Sequence, residues 1–96
     1  MVLNTLDIKE ESQSEIEIII DSSWCIVLHN DPINTFEWVI ENLIRYCGHT
    51  NLQAEQCAWF VHNKGKYTVK SGTYEEMEPI CSALCEKGLM AELSQQ

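Results

Sequence analysis

The chain has 96 residues, enough for one small domain, and a domain of this size buries roughly 60–70% of the surface that its unfolded chain exposes. Its formal net charge of −9 argues against binding to nucleic acid or to anionic membranes, because both need surface patches of Lys and Arg. The five cysteines lack the spacing of a disulfide framework and fall at apolar positions, and no apolar run could span a bilayer, so we expect a reducing, cytoplasmic setting.

The first 21 residues carry more than half of the net charge. Six acidic residues against one lysine give this segment a charge of −5. We therefore predict a flexible acidic extension over residues 1–21 and a core domain over residues 22–96. Residues 15–20 are rich in isoleucine, and they could form an additional edge strand or simply a hydrophobic end of the extension.

The core is predicted to begin with a strand and a helix. Residues 24–28 form a short apolar run typical of a buried strand, which ends at the turn formers preceding Pro32. A helix is predicted to follow, with Asn34 as its N-cap, Glu37 completing a capping box and Gly48 ending it.

A second helix is predicted between Thr50 and Gly65. Gln53 stands three residues after Thr50, the spacing of a capping box, and Gly65 is a typical helix terminator. This assignment places His62 in the last turn of the helix.

The rest of the chain predicts a strand, a third helix and a final strand. Residues 67–69 are the strand, Ser71 and Gly72 are a turn, and Thr73 begins the helix with Glu76 in a second capping box. Pro79 either kinks this helix or marks its true first turn, and residues 89–93 are the last strand. The order β-α-α-β-α-β predicts an α+β fold, a three-stranded antiparallel sheet packed against three helices.

Three hydrogen-bond acceptors are expected to converge where the first strand and the second helix end. They are the amide oxygen of Asn30, the carboxylate of Asp31 and a neutral imidazole nitrogen of His62. An ammonium group offers three donors, so this arrangement is suited to binding an amine rather than to performing chemistry on it. Because His62 must be neutral to accept, we expect weaker binding as the pH falls through the range in which imidazoles protonate.

The ordered motifs of the chain resemble those of ClpS, the adaptor family of the Clp protease that recognises N-end-rule substrates. The family holds a protein whose first residue is bulky and hydrophobic, an N-degron, and hands it to a AAA+ unfoldase. The resemblance covers the folded part of the chain, and it rests on residues 27–31, 35–40, 54–56 and 61–66 together with Thr73, Glu75 and Glu76.

The resemblance implies a role for each matching residue, and it implies no catalytic group, cofactor or metal. Asn30 and His62, with Asp31 beside them, would bind the substrate's α-amino group. Glu75 would contact the N-terminal domain of a ClpA- or ClpC-like unfoldase. The pocket for the first side chain would be lined by Leu28, Asn34, Phe36, Val39, Ala58, Val61 and Leu89.

Three positions depart from the family pattern. Pro32 stands where the family usually has a second acid that helps to hold the amine, and Phe36 and Ala58 stand where many members have methionine. These changes leave open an alternative, a ClpS-like relative that binds another partner or modulates the unfoldase without recognising N-degrons.

Simpler interpretations of the same residues also remain open. Residues 30–32 could be an ordinary turn, His62 a surface histidine and Glu75 an acid favoured by the helix dipole, while apolar pocket residues could be plain core. A metal or redox role would use Cys81, Cys85 and other Cys and His residues, but no CxxC frame supports it. A hydrolytic role would need a Cys or Ser beside His62, and no nucleophile elbow is present.

Overall fold

The computed structural model of the protein describes residues 23–96, so the predicted acidic extension and the possible strand at residues 15–20 lie outside the described residues. The elements are β1 (Trp24–His29), α1 (Phe36–Cys47), α2 (Asn51–Lys64), β2 (Lys66–Gly72), α3 (Tyr74–Glu86) and β3 (Met90–Gln95). This is the predicted order, and it confirms the α+β class.

The sheet has β1 at its centre, paired antiparallel with β2 on one side and β3 on the other. At the end of β1, His29 lies opposite Lys66, the first residue of β2, and opposite Met90, the first residue of β3. The chain therefore leaves β1 at the same end of the sheet at which β2 begins after α2 and β3 begins after α3. This topology gathers three connections at one end of the molecule.

The three helices pack against the sheet around one apolar core. Ile26 and Leu28 of β1 are fully buried, and they belong to the same cluster as Leu43 of α1, Ala54 of α2 and Leu84 of α3. Ile26 and Leu28 are alternate residues of β1, so both point to the face of the sheet on which the helices pack.

The first helix begins one residue later than predicted. Thr35, not Asn34, is its N-cap, because the Thr35 hydroxyl accepts from the backbone N–H of Trp38 at 3.1 Å. The amide of Asn34 is engaged with partners outside the helix and is therefore not available as a cap.

The predicted limits of α2 are confirmed. Thr50 and Gln53 form the capping box, and Gly65 ends the helix in the left-handed conformation at φ +90°. A left-handed residue at this point lets the chain reverse directly into β2, because only one residue separates the two elements.

Two later assignments need correction. Ser71 and Gly72 are not a turn, because they lie in β2 opposite Cys25 and Trp24, so the strand is longer than its apolar part suggested. Thr73 and Glu76 do form the capping box of α3, which means that Pro79 lies inside the helix and does not mark its first turn.

Candidate functional site

The loop that follows β1 is organised by Asp31. One oxygen of its carboxylate, Oδ1, accepts from the backbone N–H groups of Ile33 and Asn34, both at 2.8 Å. The other, Oδ2, accepts from the side-chain amide of Asn34 at 2.8 Å. The hydrogen bond from the Asn34 side chain and those from the backbone hold the pKa of Asp31 below its usual range, against the opposing effect of burial. Asp31 is therefore ionised at neutral pH, and its carboxylate both holds the conformation of the loop and places a negative charge there.

A backbone hydrogen bond brings Asn30 to the end of α2. The N–H of Asn30 donates to the carbonyl of Gly65 at 2.9 Å, and the N–H of Gly65 donates to the carbonyl of Val61 at 3.0 Å. His62, in the last turn of α2, thus comes to line the same cleft as Asn30 and Asp31. Within residues 23–96, neither the Asn30 side chain nor the His62 ring has a hydrogen-bond partner, so their acceptor atoms are open to a ligand.

The cleft has a volume of about 480 Å³ and apolar walls. Phe36 and Val39 of α1 line it, together with the α2 residues Ala58 and Val61. The ring of Phe36 is 40% exposed and meets the ring of His62 edge to face, with 6.2 Å between the ring centroids. Phe36 therefore lines the cleft without filling it.

A smaller cavity of about 20 Å³ adjoins the cleft and shares five of its lining residues. Leu28 and Leu89, which are 1% and 3% exposed, line this smaller space, so they form the floor of the combined pocket. The ten residues predicted for amine binding and for the pocket thus surround two adjoining spaces, with Glu75 lying elsewhere.

The turn between α3 and β3 is held against the cleft by two side chains of the α1 region. Asn34 Nδ2 donates to the carbonyl of Gly88 at 2.9 Å, and Trp38 Nε1 donates to the carbonyl of Lys87 at 3.0 Å. This turn leads directly into Leu89, so both contacts position the pocket floor. No short stretch of sequence could predict these hydrogen bonds, since the partners lie 54 and 49 residues apart.

Two residues outside the set predicted for amine binding and for the pocket also line the cleft. Pro32 and Thr35 both border the cleft. The Thr35 hydroxyl is engaged as the α1 cap. The sequence signal for Pro32 was its place in the turn between Asp31 and the first helix.

Glu75 lies away from the cleft, in the first turn of α3, where it is exposed. Gly88, which contacts the cleft residue Asn34, follows the other end of the same helix. With a rise of 1.5 Å per residue, the two positions are roughly 20 Å apart.

None of the five cysteines, all of which lie within residues 23–96, lines this cleft. Burial raises the pKa of the Cys47 and Cys81 thiols to about 11 each, which leaves them protonated and poorly nucleophilic. Cys85 does not fit its predicted apolar position: it is exposed, and its thiol donates to the carbonyl of Ala91 at 3.2 Å.

Two further observations concern metal binding and membrane-spanning helices. Over residues 23–96, no group of three or more His, Cys, Asp or Glu side chains is arranged to hold a metal ion. The same part of the chain contains no helix with the length and apolar character to cross a membrane.

Comparison with known proteins gives a consistent result. The family described as "ATP-dependent Clp protease adaptor protein ClpS" matches residues 20–92. The ClpS adapter of Streptomyces avermitilis is 37% identical over 91% of this chain and 85% of its own, and that of Mycobacterium tuberculosis is 31% identical over 80% and 76%. The solved structure of Agrobacterium tumefaciens ClpS2 bound to L-phenylalaninamide superposes with a TM-score of 0.73 at 16% identity, covering 76% of this chain and 95% of that one, which shows the shared fold. The chain therefore belongs to the ClpS family of ATP-dependent Clp protease adaptors.

Proposed function

We propose that this adaptor binds proteins through a free N-terminal residue with a bulky hydrophobic side chain and delivers them to a ClpA- or ClpC-like AAA+ unfoldase. The observation that carries the proposal is that Asn30 and His62, two acceptors without a hydrogen-bond partner in residues 23–96, line one largely apolar cleft. The protein's own part is non-catalytic, as befits an adaptor.

The open acceptors supply selectivity for a chain terminus. A terminal –NH₃⁺ offers three donors and a positive charge, whereas the nitrogen of an internal residue offers one donor and no charge. Asn30 and His62 take two of the donors, and the negative charge of Asp31 lies on the same cleft. The loss of one acceptor should weaken binding by about 1–3 kcal/mol, because the ammonium would remain partly unpaired.

The apolar cleft supplies the second part of the affinity. A Leu or Phe side chain buried between Val39, Ala58 and Val61 gains roughly 1.5–3 kcal/mol from leaving water. L-Phenylalaninamide, the ligand named for the Agrobacterium protein of the same fold, has a free α-amine beside a benzyl group. That ligand has the chemistry that we assign to the substrate of this chain.

Delivery requires a second surface that stays accessible while the substrate is bound. Glu75 offers one, because it is exposed and lies roughly 20 Å from the turn that forms the cleft floor. We assign it to the contact with the N-terminal domain of the unfoldase. We also assign residues 1–21 to an acidic extension that acts in delivery and residues 22–96 to the adaptor core, in a cytoplasmic setting.

The decisive experiment compares peptides that differ only in the first residue, each with a free and an acetylated N-terminus, by fluorescence anisotropy. Free Leu and aromatic N-termini should bind, and their acetylated forms should bind at least about tenfold more weakly, since acetylation removes a charged donor group. Equal binding of free and acetylated peptides would refute the proposal and leave an adaptor that recognises another partner.

Variants assign the roles within the site. Asn30→Ala and His62→Ala should each weaken binding of the free peptide, because each removes one acceptor of the ammonium group. Asn63→Ala is the matched control, because Asn63 is an exposed amide that bonds the Trp59 carbonyl and does not line the cleft.

A separate assay tests delivery. Glu75→Lys should leave peptide binding unchanged but slow degradation of an N-degron substrate by the unfoldase and its protease. Glu86→Lys, an equal charge reversal at the other end of α3, is the control. Removal of residues 1–20 should likewise spare peptide binding and impair degradation, and a loss of peptide binding in that deletion would contradict the division of roles.

A further inference from the structure

The side-chain amide of Asn34 uses both of its hydrogens on the protein itself. Its Nδ2 donates to Asp31 Oδ2 at 2.8 Å and to the carbonyl of Gly88 at 2.9 Å. Both partners can only accept, so chemistry fixes the orientation of the amide: Nδ2 faces the two oxygens, and Oδ1 faces away from them.

This oxygen is an acceptor without a donor inside residues 23–96. Within residues 23–96, only His49 Nδ1 is a side-chain polar atom that is both fully buried and without a hydrogen-bond partner. Asn34 Oδ1 also lacks a partner, so it is not fully buried and remains accessible to solvent. Asn34 lines both the cleft and the small cavity that is bounded by Leu28 and Leu89. Among the residues that line both spaces, Asn34 thus carries an acceptor fixed in orientation and open to a ligand, beside the apolar walls of Val39 and Val61.

We propose that Asn34 determines specificity within this pocket, where its Oδ1 accepts a hydrogen bond from the side chain of the substrate's first residue. The inference rests on the proposed function and names the preferred substrates. Tyr and Trp carry a donor at the far end of the side chain, whereas Phe and Leu carry none. The pocket therefore favours Tyr and Trp N-termini over Phe and Leu.

The surroundings of Asn34 strengthen this acceptor. An amide whose N–H groups donate to a carboxylate and a carbonyl is polarised, and its oxygen accepts more strongly as a result. A Phe ring that filled the pocket would exclude water from Oδ1 without replacing the lost hydrogen bond, so the penalty falls on the substrate that lacks the donor.

The test measures dissociation constants of free N-terminal peptides in two matched pairs. Tyr is compared with Phe, which differs only by the hydroxyl, and Trp with benzothienylalanine, which replaces the indole N–H by sulfur. The wild-type protein should bind the donor-bearing member of each pair about three- to tenfold more tightly, the factor associated with one neutral hydrogen bond. Binding of the two members within twofold would overturn the inference.

Variants separate specificity from support of the turn. Asn34→Ala should weaken binding of all peptides and bring both ratios close to one. Trp38→Phe removes the other hydrogen bond to the same turn but leaves Asn34 in place, so it should retain the ratios. A preference that survives in Asn34→Ala, or that is lost equally in Trp38→Phe, would contradict an acceptor role for Oδ1.

The two proposals fail in different ways. If Leu and Phe peptides bind with a free but not with a blocked N-terminus and the pairs do not differ, only the specificity of Asn34 is refuted. If no free peptide binds, the proposed function itself is refuted. The wild-type ratios decide the matter even if Asn34→Ala does not fold.

Discussion

Replacement of Asp31 by Asn tests whether this carboxylate holds the cleft loop. The substituted amide can still accept from the backbone N–H groups of Ile33 and Asn34 through its oxygen. Its NH₂ group, however, would face the NH₂ group of Asn34, donor against donor, where Oδ2 now accepts at 2.8 Å. The loss of one hydrogen bond to a charged group predicts a decrease of about 1.5–3 kcal/mol in the free energy of unfolding at pH 7.

The effect should depend on pH in a defined direction. Because the pKa of Asp31 is lower in the folded than in the unfolded protein, its ionisation stabilises the fold above the unfolded value, and this contribution is lost as the pH falls through the folded value. The difference between wild type and Asp31→Asn should therefore be full at pH 7 and shrink below about pH 4.

Urea denaturation followed by tryptophan fluorescence between pH 7 and pH 3 measures this difference. Glu37→Gln is the matched control, because Glu37 is an exposed acid in the first turn of α1 and has no side-chain hydrogen bond among the described residues. A stability difference that stays constant over this range, or that also appears in Glu37→Gln, would refute the role assigned to Asp31.

Three further stability predictions follow from the fold, and each is checked by the same denaturation assay. Gly65→Ala should destabilise the protein by about 1–2 kcal/mol through backbone strain alone, since φ is +90° and no atom lies within 4 Å of the added methyl group, and an unchanged midpoint would contradict this. Leu84→Ala should cost about 2–5 kcal/mol because Leu84 is fully buried, whereas Leu52→Ala at an exposed position should change stability by less than about 0.5 kcal/mol, and similar losses in both would be inconsistent with the described core. Thr73→Ala should cost about 1 kcal/mol by removing the α3 cap, and a neutral result would show that the capping box contributes little.

Local chemistry explains the parts of the fold that the sequence predicted. The capping boxes at Thr50 and Thr73 and the terminator Gly65 depend on residues within a few positions of one another, so their signals are present in short windows. Asn34 shows the limit of this approach. Asn is a common N-cap residue, and its spacing from Glu37 fitted a capping box. The side chain of Asn34 instead donates to the carbonyl of Gly88, 54 residues away, and the next residue, Thr35, is the N-cap.

The length of β2 was underestimated for a similar reason. Ser71 and Gly72 are typical turn residues, but pairing with the central strand β1 extends the ladder through them. At the cleft, the sequence could indicate that Asn30, Asp31 and His62 belong together, because a compact helical hairpin joins the end of β1 to the end of α2. The residues of the pocket were indicated by the family resemblance. The sequence could not indicate that Asp31 is engaged by three loop donors, since that depends on the path of the loop in space.

The hydrogen bond from Asn30 to Gly65 ties the cleft to the middle of the sheet. β1 has a neighbour on each side, so the amide of Asn30 follows directly after the strand with the most ladder contacts in the described fold. The hydrogen bond to Gly65 protects this amide, which should therefore exchange with deuterium more slowly than an amide that is open to solvent. A ligand therefore meets a receptor whose shape is already set, and little of its binding free energy is lost in ordering the protein.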